Sequence, residues 1–382
     1  MVDAQKIWAH SGDSHFLEPE NLWDDILPAH LAARMPKSEK INEDEERITV
    51  DGNSFTWRLP KVMKPREDGK PSMMEISHRP PGARDLSARL ADLDEEGIWG
   101  EVIYASLGMW EALITDRELI RISAAAENEW KASEVQGLAP ERLVPVASLP
   151  LRNMDDAVAE ARHAKEIGLH AVALPTPGMP NSATLDKTIE PLNSEAWEPL
   201  WDELEDLELV AAFHIGGDPG EHTAYRGLGG AVLNYTNSTY SGQRAAMVMV
   251  ASGALDRHPD LKVLISEGGA SWVPFLGDRM VEAYRQHSMF VKPVLTRSPK
   301  EILYDQVYCS FQHEESAIPT FTACGYRNVL WGSDYPHLEG TFGHTQKTLH
   351  ELFDDQSEEV AGRIMRGTFE ELFPHVSVPP SG

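Results

Sequence analysis

The strongest constraint on this chain is an alternation between short apolar runs and longer amphipathic stretches. Eight runs end in Gly, Pro or a polar residue: IWAHSGDSHF (Ile7 to Phe16), VIYAS (Val102 to Ser106), LVPVASLP (Leu143 to Pro150), HAVALP (His170 to Pro175), LVAAFHI (Leu209 to Ile215), KVLIS (Lys262 to Ser266), QVYCSF (Gln306 to Phe311) and NVLWGSD (Asn328 to Asp334). Continuous apolar runs of this length suit strands buried on both faces, as parallel strands covered by helices are. Helix signals lie between them. Met154 to Ile167 is closed by Gly168, Ser194 to Leu207 follows the capping residue Asn193 and contains Pro199, and a third helix runs from about Gly242 to Arg257, before Pro259. Eight such units predict an α/β fold of the (β/α)8 barrel type, a TIM barrel.

A barrel of about 250 residues leaves a remainder in this 382-residue chain. We read residues 1–382 as one domain with an insertion over 22–87 after the first strand and a flexible tail over 374–382. Two alternating runs flanking Asp51-Gly52-Asn53 predict a β-hairpin in the insertion. Lys+Arg 34 against Asp+Glu 61 gives a net charge of −27, which disfavours nucleic acid and anionic membranes as partners. No apolar run is long enough for a membrane span. The N-terminus lacks a secretory pattern and the two cysteines, Cys309 and Cys324, form no CxxC, so the expected location is the cytoplasm. Any metal must then be held by imidazoles and carboxylates.

Barrel chemistry sits where strands end and βα loops begin. Asp13 and His15 close the first run two residues apart. His214 ends the fifth, Glu267 follows the sixth before a Gly pair, and Asp334 ends the eighth. Each position alone is ordinary; a lone His after an apolar run is usually a packed core residue. Together they form a nitrogen and oxygen set suited to one divalent ion, Zn²⁺ or Mn²⁺, with room for water.

The segments DSHFLEPENLW, FHIGG, HPDLKVLISEGGASWVPF and WGSDYPHLEGTF, in this order along nearly the whole chain, resemble the amidohydrolase-related family of the amidohydrolase superfamily. That branch includes aminocarboxymuconate-semialdehyde decarboxylase and γ-resorcylate decarboxylase. The resemblance implies an amidohydrolase-like barrel in which Asp13, His15, His214 and Asp334 bind metal and Asp334 also shuttles a proton. Three departures stand out. The first strand carries Asp-x-His where relatives carry His-x-His or Glu-x-His, so either Asp13 or Glu18 could complete the pair. The sixth strand offers Glu267 where relatives often have a His acid/base. The fourth strand lacks the carboxylated Lys of binuclear members, which favours one ion.

Substrate-binding candidates are Arg79 and Arg84 as carboxylate clamps, His222 and Tyr225 in a glycine-hinged lid, and His313 and His337 at the rim; each has a plain surface or loop-capping alternative. The leading function is non-oxidative decarboxylation of a small aromatic or unsaturated carboxylic acid, with Asp334, Glu267 and His214 as the catalytic groups. Hydrolysis of an amide, ester or lactone by the same metal site, and a catalytically silent small-molecule barrel, are the alternatives. The resemblance also implies a homodimer, with the first insertion as its contact.

Overall fold

The computed structural model describes residues 6–19, 21–42, 45–58, 80–106, 113–177, 189–217, 224–337 and 339–379. Its strands are β1 (Ala9–Ser11), β2 (His15–Phe16), β3 (Lys37–Asn42), β4 (Glu45–Val50), β5 (Asn53–Arg58), β6 (Ile98–Ala105), β7 (Leu143–Ala147), β8 (Ala171–Leu174), β9 (Val210–His214), β10 (Val263–Ser266), β11 (Val307–Phe311) and β12 (Val329–Trp331). The parallel order β1-β6-β7-β8-β9-β10-β11-β12, with β2 continuing β1 alongside β6, is that of a (β/α)8 barrel. Closure between β12 and β1 comes from single bonds: Gly12 N–H to the Trp331 carbonyl (2.9 Å), Asp334 N–H to that of Asp13 (3.0 Å) and His15 N–H to that of Tyr335 (2.6 Å).

Side-chain alternation along the strands produces two apolar layers. Val102, Tyr104, Val144, Val146, Val210, Ala212, Leu264, Tyr308 and Leu330 form one cluster inside the barrel, joined by Phe369, Phe373 and Val376. The intervening residues, among them Ile103, Phe213, Ile265 and Trp331, face the helices together with the stacked pair Trp197 and Trp201. Counting by twos from Val210 or Leu330 leads inward to His214 and Asp334. The alternation that builds the core therefore also aims the polar strand ends.

The insertion holds a three-stranded antiparallel sheet, β3-β4-β5. Its β4–β5 turn has Asp51 at φ 45° and Gly52 at φ 77°, the left-handed pair of a type I′ hairpin. The residues from 374 do not hang free as a tail through 377: Val376 is buried and Ser377 N–H donates to the Glu141 carbonyl (2.8 Å). Residues 380–382 lie outside the described set. The long helix after β9 is Gly230–Ala251, beginning twelve residues before the predicted Gly242. Its first turns are rich in Asn, Thr, Ser and Tyr, whose weak helix propensity hid them; packing against the barrel overrides that preference.

At the end of the barrel where strands begin, His170 and His375 stack with ring centroids 3.5 Å apart. Burial depresses both to about 4, with Lys165 adding to the effect at His170 and His170 and Lys165 adding at His375. The native rings stay neutral where the unfolded chain takes up protons. Stability is thus expected to fall as pH drops from about 6.5 to about 4, by on the order of 2–4 kcal/mol. Urea unfolding across that range checks this; His375→Gln should flatten the slope, and an unchanged slope would contradict it.

Candidate metal centre

The first and eighth strand ends are stapled so that two carboxylates must meet. Ser11 Oγ donates to the Asp13 carbonyl (2.6 Å), accepts from Ser333 N–H (2.8 Å) and lies 3.0 Å from Ser333 Oγ. Gly12 allows the close approach, since a Cβ there would lie 2.5 Å from Leu330 Cδ1. Asp334 itself sits at φ 51° and Glu267 at φ 59°, a left-handed backbone that non-glycine residues seldom adopt and that concentrates at functional positions. For Glu267 the twist matters directly. Strand alternation from Leu264 would put Ser266 inside and Glu267 outside, and the left-handed step returns the Glu267 carboxylate to the rim.

His15 Nε2 and His214 Nε2 face each other at 3.0 Å. His214 Nε2 lies 3.4 Å from Asp13 Oδ1 and 3.5 Å from Glu267 Oε2, and His15 Nε2 lies 3.6 Å from Asp334 Oδ1. The sets Asp13/His15/His214, His15/Asp334/His337 and Asp13/Glu267/Asp334 each place ligand atoms within 4.8 Å of one another. Two carboxylates at that spacing repel by about 3–4 kcal/mol even at an effective dielectric of 20. The carboxylates of Asp13 and Asp334 are both buried, and imidazole nitrogens face them: His214 Nε2 at 3.4 Å from Asp13 Oδ1 and His337 Nδ1 at 2.8 Å from Asp334 Oδ1. His214 Nδ1–H donates to the Ile215 carbonyl (2.6 Å), which leaves Nε2 with its lone pair toward the centre.

Buried carboxylate oxygens converging with an imidazole lone pair are the donor set of a divalent cation, and the residues fit one. The local field agrees. Burial opposes a positive charge at His214, yet the charge and hydrogen bonding of Asp13 and the charge of Glu267 outweigh it, so without an ion this imidazole is raised to about 10 and a bound cation would take the place of that proton at Nε2. Asp334 is pushed well above the usual carboxyl range by burial and by Asp13, and Glu267 by burial and by Asp334.

The remaining candidates fall around this centre. His337 Nδ1 lies 2.8 Å from Asp334 Oδ1, and its ring stacks on His15 with centroids 4.2 Å apart. His313 Nε2 reaches the Glu339 carbonyl (3.1 Å), spanning the loops after β11 and β12. Tyr225 is half-exposed, with its backbone N–H and carbonyl both bound by the Asn234 side chain. Glu18 is buried but joins none of the candidate ligand groups, two of which include Asp13. Arg84 is exposed and donates to the Glu18 carbonyl (3.1 Å), apart from the converging groups. Arg79 and His222 lie outside the described residues.

Sequence reasoning missed two supports. Tyr104, inside β6, packs against His214 (centroids 4.8 Å) and shares a hydrogen bond with Ser266 (2.8 Å), which in turn donates to the Gly12 carbonyl (2.9 Å). Arg89, on the helix Leu86–Glu96, is fully buried. It pairs with buried Glu101, donates to the His15 carbonyl (2.8 Å) and Ser14 Oγ (3.2 Å), and lies over the Tyr335 ring. Arg89 thus ties the loop bearing Asp13 and His15 to the neighbour of Asp334. No local sequence pattern marks Arg89, since its burial appears only in the folded chain.

Arg89→Met is expected to lower metal affinity about 10–100-fold, because it releases these backbone anchors. Leaving Glu101 unpaired in the interior should also cost about 3–5 kcal/mol. The double variant Arg89→Met/Glu101→Leu should recover stability in urea unfolding but not metal affinity; recovery of both would show that Arg89 only supports the fold.

A parallel barrel whose strand ends gather two imidazoles and two or three carboxylates is the architecture of a metal-dependent enzyme of the barrel class. The amidohydrolase family model matches residues 104–374, and the chain belongs to that family. Among characterised relatives, decarboxylase yanB of Aspergillus niger is 26% identical over 203 residues, covering 49% of this chain and 52% of its own. γ-Resorcylate decarboxylase of Rhodococcus jostii is 28% identical over 200 residues, covering 48% of this chain and 59% of its own. The chain therefore spans little more than half the length of these relatives. Among solved structures, amidohydrolase map2389c of Mycobacterium avium subsp. paratuberculosis superposes with a TM-score of 0.77 at 20% identity, over 97% of this chain and 100% of that one. A dihydroxybenzoic acid decarboxylase of Polaromonas sp., solved with manganese and 2-nitroresorcinol, gives 0.61 at 17%, over 96% and 97%. At these identities the structural likeness speaks for the fold.

Proposed function

We propose that this protein is a metal-dependent decarboxylase of a small aromatic carboxylic acid. The observation that carries the reading is geometric: Glu267, Asp334 and Asp13 place carboxylate oxygens within 4.8 Å of one another, in the same cluster as His15 and His214. Decarboxylation needs a proton delivered to carbon. Two like charges so close do not both ionise readily, which suits the Glu267/Asp334 pair to passing a single proton.

Asp13, His15, His214 and Asp334 would hold one divalent ion, Mn²⁺ or Zn²⁺. Such an ion supplies positive charge that draws in and polarises substrate oxygens. Within the chain, Ser11, Ser333 and Arg89 fix the ligands, and the His337 ring stacked on His15 lines the approach. A carboxyl proton from the Glu267/Asp334 pair adds to the ring carbon bearing the substrate carboxylate. The bond between that carbon and the carboxylate then breaks, its electrons restore the ring and carbon dioxide leaves. A hydroxyl beside the carboxylate would help by enriching that carbon in electrons. Rim residues His313 and His337 would meet the substrate.

The decarboxylase names of the partial-length relatives weigh toward this reaction over hydrolysis, in which Asp334 would instead take a proton from water. Free Cys309 and Cys324 suit a reducing cytoplasm, and we further propose that the chain acts as a homodimer. No described helix is long and apolar enough to cross a membrane.

The test is to load the protein with Mn²⁺ or Zn²⁺, offer a panel of hydroxybenzoates in D₂O beside amides, esters and lactones, and measure released carbon dioxide. Carbon dioxide release with one deuteron at the vacated ring carbon is expected. Turnover confined to amides, esters or lactones would replace the proposal with hydrolysis.

A further inference from the structure

The helix Gly230–Ala251 has one face buried on the barrel and another that is apolar and open. Asn237, Ser238, Ser241, Gly242, Ala245, Ala246, Met249 and Val250 face inward. On the outside, Leu233 is 46% exposed, Tyr240 48% and Met247 41%. These three stand seven residues apart, two helical turns, so they form a single stripe that drifts only ~20° per step. Val232 and Tyr235 flank it, with 71% and 57% exposure. An apolar seam at heptad spacing on a solvent face is the pattern by which one helix packs on another.

Charge restricts the occupant. This chain carries −27, yet the helix contains no Asp, Glu or Lys, and its one charged side chain, Arg244, has Nε bound to the Pro177 carbonyl (2.9 Å). Two copies of so acidic a protein repel wherever carboxylates meet, and this stripe lets them approach without that cost. The stripe is also symmetric about its midpoint, Tyr240, with Leu233 and Met247 equally distant on either side. A two-fold axis through Tyr240 would set the helices antiparallel, Leu233 against Met247 and Tyr240 against Tyr240, the self-complementary contact that a C2 dimer requires.

Area sets a further condition. A helix of 22 residues is about 33 Å long and covers on the order of 350 Å², whereas a stable interface takes about 800 Å² per partner. The next helix of the outer ring, Val273–Gln286, supplies more open apolar surface through Phe275 (70% exposed) and Val281 (40%), and Tyr284 Oη joins it to the Ala251 carbonyl (3.3 Å). The first insertion offers less: β3 is exposed along its length except Lys37, and Ile41 is the one apolar residue among its six.

We propose that the helix Gly230–Ala251, with Tyr240 on the two-fold axis and Val273–Gln286 alongside, is the interface through which two copies of this chain pair. The proposal rests on the homodimer reading above and is independent of the reaction.

Light scattering coupled to gel filtration, at micromolar protein, should give twice the chain mass for the wild type. Leu233→Asp and Tyr240→Asp should give the single-chain mass with unchanged circular dichroism, a weakening of at least 100-fold. In a Cys324→Ser background, Tyr240→Cys should form a disulfide between copies on mild oxidation, a readout that does not depend on tolerating a charge. A monomeric wild type would overturn both the homodimer and the interface. A dimeric wild type whose Asp variants stay dimeric, or whose Tyr240→Cys form does not cross-link, would overturn this interface and leave the homodimer standing.

Discussion

Asp334→Asn is expected to leave the barrel intact and lower kcat by about 10²–10⁴ at saturating metal, the usual contribution of a positioned acid/base group. Asn is among the few residues that accept the left-handed backbone seen at Asp334 (φ 51°), so the substitution spares the local fold. It removes the negative charge that faces His15 and the carboxyl that can carry a proton. Metal content should be measured in parallel, because Asp334 is also a proposed ligand. Loss of turnover in a variant that still binds the ion would locate the defect in proton transfer. Full turnover would rule out Asp334 as the proton carrier.

Removing the ion should have an effect at least as large. Dialysis against a chelator is expected to reduce decarboxylation by more than about 10³-fold and to be reversed by Mn²⁺ or Zn²⁺, since the substrate would lose its main source of positive charge in a pocket lined by carboxylates. Stability should follow. With the ion at 100 times its dissociation constant, the folded state gains about 2.7 kcal/mol, so thermal unfolding should move upward on metal addition. The buried carboxylate oxygens of Asp13 and Asp334, crowded within 4.8 Å of one another, are the structural reason. Turnover that survives exhaustive chelation, with no shift in melting, would leave those oxygens unexplained.

Much of the architecture was legible because burial on both faces writes a strand as a continuous apolar run, and all eight runs became barrel strands. His214 and Asp334 were legible for the same reason: they continue the inward parity of their strands. Glu267 was found only because it follows a strand and precedes a glycine pair, as parity would have placed it outside. Arg89 was illegible. Its role depends on contacts with Ser14, His15, Glu101 and Tyr335, three of which lie across the fold and leave no local pattern. The start of the helix Gly230–Ala251 was hidden by polar residues that favour turns in isolation. Spacing alone does not separate Asp13 from Glu18, because the break in the first strand after Ser11, where Ser11 and Ser333 clamp the Asp13 backbone, leaves no local pattern.

The central claim is that strand ends from opposite sides of the barrel share one cation. Metal stoichiometry by equilibrium dialysis and elemental analysis tests it most directly, on the wild type and on His15→Gln/His214→Gln. One tightly held Mn²⁺ or Zn²⁺ per wild-type chain is expected, with a loss of at least 100-fold in affinity in the double variant. An ion held equally well after both imidazoles are gone, or a folded wild type that takes up none, would contradict it.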